Sequence, residues 1–336
     1  MPRPRASKTG VVWALLLMAL PGMPIAGQAQ WAVVTDGQVS YTNDAFQFSS
    51  ARRARFSEDP SLPTFVPLDK PEDVIWEPAV EVIRKFRPAL GATEFSVKAH
   101  GFIYTNNPIF NHADYRVQAR QAFSSQTQLL LRYRYLPNLF LGPNFERRTG
   151  ERLIEGERVT SHTWRAELEH RLTEAWSVTL ISRYGLRLFN DAFAERDTRF
   201  WTAGPLLAWM MTPWITAILG YLYERGLADG QGDTRFNDDI SYRQHAVTAG
   251  ADIRLIRPLT LHLLYVYRLK DFTSDLVGDT HLNRQDQTHQ GTAEFRYRLT
   301  AASSVFVSFQ RTQRSSTAET RSFTDTIVSV GGEHRF

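Results

Sequence analysis

Apolar and polar residues alternate one for one along most of the chain. In 259–270, Leu259, Leu261, Leu263, Tyr265, Tyr267 and Leu269 share one phase, and Thr260, His262, Leu264, Val266, Arg268 and Lys270 share the other. A period of two is the period of a β-strand, whose successive side chains point to opposite faces. The same alternation runs through 115–123, 127–135, 162–172 and 291–300, with Arg and Glu recurring at mid-strand on the polar phase. These stretches run to about ten residues or more, the length of a tilted strand crossing a bilayer, whereas soluble strands are typically about half that. Short turns near 87–92, 124–125, 173–175, 212–213, 257–258 and 301–302 alternate with long polar segments near 106–112, 137–160, 189–199, 225–242, 271–287 and 314–323. Long strands, a charged phase and connections of alternating length predict an all-β fold: a transmembrane antiparallel up-and-down β-barrel. Thirteen strands are readable from 74 to 336. Single-chain bacterial barrels use even numbers, so a fourteenth is placed within 38–50, around Phe46 and Phe48. The alternative is twelve strands, with 31–86 as a periplasmic or plugging segment.

The aromatic residues sort by height in this topology. Trp176, Trp214, Phe86, Phe123, Trp209 and Tyr297 fall near the short turns. Tyr133, Tyr135, Tyr184, Tyr221, Tyr223, Tyr265, Tyr267, Trp164 and Trp201 fall near the long loops. Two belts of amphipathic rings mark two membrane–water interfaces.

Residues 1–29 read as a secretory signal peptide. Arg3, Arg5 and Lys8 precede the apolar run 11–20, then Pro21, Gly22 and Pro24, and small residues up to Ala29. Ten apolar residues are about half of a spanning helix. Residues 30–336 form the barrel. Three of the chain's net four positive charges lie in the leader. The near-neutral remainder excludes the basic excess of a nucleic-acid binder. With no cysteine, there is no disulfide framework, thiolate metal site or cysteine nucleophile.

The chain ends in Phe336, on a strand whose one phase carries Val328, Val330, Gly332, His334 and Phe336. A terminal aromatic closing an amphipathic strand resembles the C-terminal signature of bacterial outer-membrane β-barrel proteins. As an architecture, the resemblance covers the whole mature chain. It is similar to porin-like barrels, including β-barrel porins linked to exopolysaccharide export. The resemblance implies residence in the outer membrane of a Gram-negative bacterium, with lipid and lipopolysaccharide around the wall. It also implies that Phe336 is the assembly signal read by the barrel-assembly machinery.

The polar phase places Arg116, Arg120, Arg132, Arg134, Arg165, Arg183, Arg187, Arg254, Arg268, Arg296 and Arg298 in the lumen, with Glu94, Glu167, Glu169 and Glu294. Arg132, Arg134, Arg165, Arg183 and Arg187 gather toward the outer half. Guanidinium groups around a water path focus positive potential and bind carboxylate or phosphate in bidentate fashion. The expected function is a pore for passive passage or export of hydrophilic, anionic solutes or polysaccharide. It needs no catalytic residue, cofactor or metal, and a periplasmic partner has room on the short turns. The alternatives are a structural, partner-binding barrel whose lumen is closed by salt bridges, and a rim hydrolase built on Asp271, Asp275, Asp279, His281, Asp286 and His289. The acidic run with Asp229, Asp233, Asp238 and Asp239 lacks the ligand spacing of a calcium loop and reads as a solvated surface. The proline-rich, basic region 51–73 reads as a constriction or an outer cap.

Overall fold

Sustained alternation produces long strands, even across the interior prolines Pro78, Pro137, Pro143 and Pro205, and the chain closes them on themselves. The structure, a computed structural model, describes residues 30–47, 70–88, 91–151, 153–318 and 321–336. The fourteen strands are β1 (Gln30–Thr42), β2 (Asp73–Phe86), β3 (Ala92–Tyr104), β4 (His112–Ala122), β5 (Thr127–Phe145), β6 (Ile154–Arg171), β7 (Trp176–Phe189), β8 (Thr198–Thr212), β9 (Ile215–Ala228), β10 (Tyr242–Ile256), β11 (Leu259–Phe272), β12 (Gln285–Arg298), β13 (Ser303–Ser316) and β14 (Phe323–Arg335). Each pairs antiparallel with its sequence neighbours, and β1 closes the barrel on β14, with Val39 opposite Val330. Closure leaves no unpaired edge, which a lipid environment demands. Residues 1–29, read from the sequence as a signal peptide, Phe48 and most of 51–73 lie outside the described residues.

The first strand differs from its expected place. It spans 30–42, not 38–50. Phe46 lies beyond it, buried with Phe110 and Phe140 in an apolar cluster at the outer mouth, with Phe46–Phe110 and Phe110–Phe140 ring centroids 5.5 and 5.3 Å apart. Its hydrophobicity serves loop packing, while Trp31, Val33, Val39 and Tyr41 supply the lipid-facing phase of β1. The long loop expected at 137–160 is mostly sheet. β5 and β6 carry their ladder outward until only 146–153 connects them. Register shifts at Leu136/Leu139 and Phe140/Gly142 break the alternation there, with Asn138 and Gly142 at positive φ. Bulges of this kind preserve pairing while scrambling the period.

The register fixes which face is which. Leu131, Leu168, Leu180, Leu219, Leu263, Phe295, Val307 and Val330 all point outward and are exposed. A continuous apolar exterior is the surface of a membrane barrel, since water-soluble proteins rarely expose patches of that size. Two aromatic girdles bound it. At the outer rim Trp164 lies 5.4 Å from Tyr133 and 5.9 Å from Tyr184, and Trp201 lies 5.4 Å from Tyr223. At the inner rim Trp176 and Trp209 stack at 5.0 Å. Outward-facing histidines meet hydroxyls on adjacent strands: Tyr133–His162 at 2.8 Å, and Tyr221–His245 and Tyr265–His289 at 2.7 Å. Each pair satisfies two polar groups that lipid would leave unsolvated.

Candidate functional site

The inward phase of seven consecutive strands, β5 to β11, encloses a cavity of about 570 Å³ in the outer half of the lumen. Its lining holds six arginines, Arg132, Arg134, Arg165, Arg183, Arg187 and Arg268, together with Lys270, against one carboxylate, Glu224. Side chains two residues apart on one strand share a face, and register aligns those of adjacent strands. Arg132 stands opposite Arg165, and Arg165 opposite Arg183. Like charges directly across a ladder are destabilising, so this row carries an electrostatic cost that nearby acids only partly offset.

The acids present are shared. Arg165 Nε lies 2.6 Å from Glu167 Oε1, which also faces Arg132 at 3.9 Å. Arg134 Nε donates to Asp114 at 2.7 Å. Glu224 is the organising group. It accepts from Arg183 at 3.0 Å, from Thr202 Oγ1 at 2.6 Å and from the Tyr242 hydroxyl at 2.6 Å, and Arg187 lies 3.6 Å away. Arg187 Nη1 in turn donates to the Tyr242 hydroxyl at 2.7 Å. Arg268 donates to Gln290 at 3.1 Å, and among the described residues no ion pair reaches Arg268 or Lys270. Seven cations therefore face three carboxylates, and the wall keeps a positive surplus.

Aromatic rings hold two of these cations in place. The Arg187 guanidinium sits 4.3 Å from the Phe200 ring centroid, and the Lys270 ammonium 3.9 Å from that of Tyr242. Each ring lies across a glycine of the neighbouring strand. A Cβ at Gly185 would come within 2.2 Å of Phe200, and one at Gly226 within 2.3 Å of Tyr242. The missing side chains are what let the rings lie flat on the wall, with cations over their faces.

The facing wall is different. There Lys98 pairs with Asp36 at 2.5 Å, Arg116 with Glu81 at 3.4 Å, Lys85 with Glu94 at 3.0 Å and Arg296 with Glu294 at 2.9 Å. Ser40 donates to Glu77 and Thr42 to Asp325, at 2.6 and 2.7 Å. Most of these groups are matched one to one, as in a filler lattice.

Of the residues read from the sequence as pore-lining, the cavity gathers Arg132, Arg134, Arg165, Arg183, Arg187 and Arg268. Arg116, Arg120 and Glu94 lie on β3 and β4, outside it. Arg254, Arg296, Arg298 and Glu294 lie nearer the short turns, and Glu167 and Glu169 lie below the cavity on β6, where Glu169 accepts from Gln128 at 2.7 Å. Sequence reasoning missed Glu224, Tyr242, Gln244 and the cavity role of Lys270. Glu224 and Tyr242 stand at the edges of a segment that reads as loop, and only strand continuation to Ala228 turns them inward. The acidic and histidine residues of 271–289 do not form one rim constellation. His289 faces outward toward Tyr265, Asp286 pairs with Arg284 at 2.6 Å, and His281 is buried beside Asp279.

Comparison with known proteins agrees with this architecture. Residues 232–336 match the family model described as "Putative beta-barrel porin 2". The outer membrane channel DcaP of Acinetobacter baumannii superposes with a TM-score of 0.52 at 10% identity, covering 94% of this chain and 99% of that one. An anion-selective porin from Comamonas acidovorans gives 0.49 at 9% identity, covering 92% and 99%. No curated protein matches the chain. The chain has the closed β-barrel fold of outer-membrane channels, and its residues 232–336 resemble that porin family.

Proposed function

We propose that the barrel is an outer-membrane diffusion channel that prefers anionic solutes. The observation that carries this reading is the imbalance of the cavity wall: six arginines and a lysine around about 570 Å³, with one lining carboxylate already saturated by its neighbours. Fixed cations around a narrow water path raise the local concentration of anions and repel cations. The Arg183 and Arg187 guanidinium groups, held by Glu224 and, for Arg187, by the Phe200 ring, are pre-oriented for carboxylate or phosphate. The solute class this wall fits is a small or extended polyanion, an acidic polysaccharide included. The test is single-channel recording of the refolded protein under a salt gradient. An anion-favouring reversal potential that moves toward cations on charge reversal of Arg132 and Arg134 supports the reading. Cation preference in the unaltered protein refutes it.

A second reading, a barrel closed by its own loops, rests on the outer mouth. Arg321 in the β13–β14 loop lies within electrostatic reach of Glu157 on β6, Arg196 and Arg284. Burial and those neighbouring guanidinium groups push it down to about 10. The β13–β14 loop therefore lies near β6 and the β7–β8 and β11–β12 loops at the mouth. A folded barrel that inserts but conducts no current would favour this reading.

A further inference from the structure

Three outer loops meet at a buried group of side chains that the channel reading does not use. The β7–β8 loop contributes Glu195 and Arg196, the β9–β10 loop Asp238, and the β11–β12 loop Asp279 and His281. Ligand atoms of Asp238, Asp279 and His281 all lie within 4.8 Å of one another, and all three residues are buried. His281 Nδ1 is 3.0 Å from Asp279 Oδ1 and 3.5 Å from Asp238 Oδ1. These separations are the edges of a small coordination shell. Bonds of about 2.1 Å give ligand–ligand edges of roughly 3.0 Å in an octahedron and roughly 3.4 Å in a tetrahedron.

A second observation points to a ligand independently of the clustering. The Asp238 side chain is 1% exposed, and Arg196 Nε donates to its Oδ2 at 2.7 Å, yet its Oδ1 receives no hydrogen bond. That oxygen faces His281 Nδ1. A buried, half-satisfied carboxylate is costly unless something positive completes it. A second orphan, Glu195 Oε1, belongs to a side chain that is wholly buried and feels the charge of Asp238. The Asp279 carboxylate is held in place from behind, by the Asp239 backbone N–H at 2.8 Å and Ser274 Oγ at 2.6 Å. Such outer contacts orient a ligating carboxylate.

We propose that Asp238 Oδ1, Asp279 and His281 Nδ1 bind one divalent transition-metal cation of the zinc class, which staples the β9–β10 loop to the β11–β12 loop, with the β7–β8 loop joined to it through Arg196 and Asp238. Two carboxylates and one imidazole suit zinc or its neighbours, whereas calcium selects all-oxygen shells. The acidic run next door is not the site. Asp229 pairs with Arg199 at 3.2 Å and Asp233 with Arg235 at 2.6 Å, both on the surface.

The test titrates Zn²⁺ into the untagged, refolded full-length barrel, in competition with a chromophoric chelator. One equivalent binds tightly. Asp238→Asn and His281→Gln each weaken it by at least about tenfold, while Asp233→Asn changes nothing. Ca²⁺ at the same concentration does not compete. Heat-modifiable migration in SDS gels shows that each variant is folded, and either one of the two ligand variants suffices. The proposal is overturned by the absence of saturable Zn²⁺ binding, by equal binding in a folded ligand variant, or by displacement with Ca²⁺.

Discussion

Arg268 offers the cleanest lever on selectivity. Its guanidinium lines the cavity and bonds Gln290, so replacing it leaves no carboxylate stranded. A sphere of about 570 Å³ has a radius near 5 Å, which puts wall charges about 7 Å from the centre. In water a unit charge at ~7 Å is worth ~0.6 kcal/mol, and 0.1 M salt roughly halves that. Arg268→Glu changes the wall by two charges, or about 0.6 kcal/mol at the centre for a monovalent ion. Anion occupancy then falls roughly threefold and cation occupancy rises by the same factor, moving the anion-to-cation permeability ratio roughly sevenfold. Arg268→Gln moves it about threefold, since one charge is lost rather than reversed. A lower effective dielectric at the wall only enlarges these figures. The assay is the reversal potential of single channels in a planar bilayer under a tenfold salt gradient, on protein shown to be folded by heat-modifiable migration. A ratio unchanged by Arg268→Glu refutes the reasoning, because a cavity on the conduction path must feel two charges at that distance.

Further outcomes follow from other parts of the wall and mouth. Arg196→Ala strands the buried Glu157 and Asp238 carboxylates, each 2.7 Å from the guanidinium. Loss of one partner of a buried pair costs about 3–5 kcal/mol, so limited proteolysis in the β7–β8 and β9–β10 loops accelerates by at least tenfold while the barrel stays folded. Gly185→Val drives a side chain into Phe200, unseats Arg187 from its ring and lowers both conductance and anion preference in the same bilayer assay. Burial raises the Glu146 carboxyl, but donors from Thr149, Arg148 and Leu153 outweigh it and leave it below its ordinary value. A depressed carboxyl contributes order above its unfolded pKa of about 4.3 and loses it as pH falls through the folded value. The protection of amides in 146–151 against exchange, relative to the intrinsic rate at each pH, therefore falls below about pH 4, and Glu146→Gln abolishes that fall.

The fold was legible because a membrane barrel is a local code repeated. Leu263 and Arg268 face opposite media whatever lies far away in sequence, so alternation announces the strand, its outer face and its lumen face together. Strand length, the two aromatic belts and the clustering of Arg132, Arg134, Arg165, Arg183 and Arg187 toward one end follow from the same period. The alternation misleads where another demand takes over a hydrophobic residue. Phe46 drew the first strand away from 30–42 because burial against Phe110 asks for the same side chain as lipid does. Bulges at Asn138 and Gly142 hid the outward extension of β5 and β6, since a single extra residue inverts the phase of all that follow.

Sequence alone thus determined the barrel class and which face of each strand is apolar, both of which depend on neighbours two residues apart. Tertiary structure decided which charges are spent and which remain. Glu224 saturates itself on Arg183, Thr202 and Tyr242 from three other strands, while Arg268 and Lys270 make no direct ion pair among the described residues. Asp238 meets Asp279 and His281 only because the pairing of β10 with β11 sets two adjacent loops side by side, with some forty residues of chain between them. Electrostatic energy depends on distance through space, and no period along the chain encodes that distance.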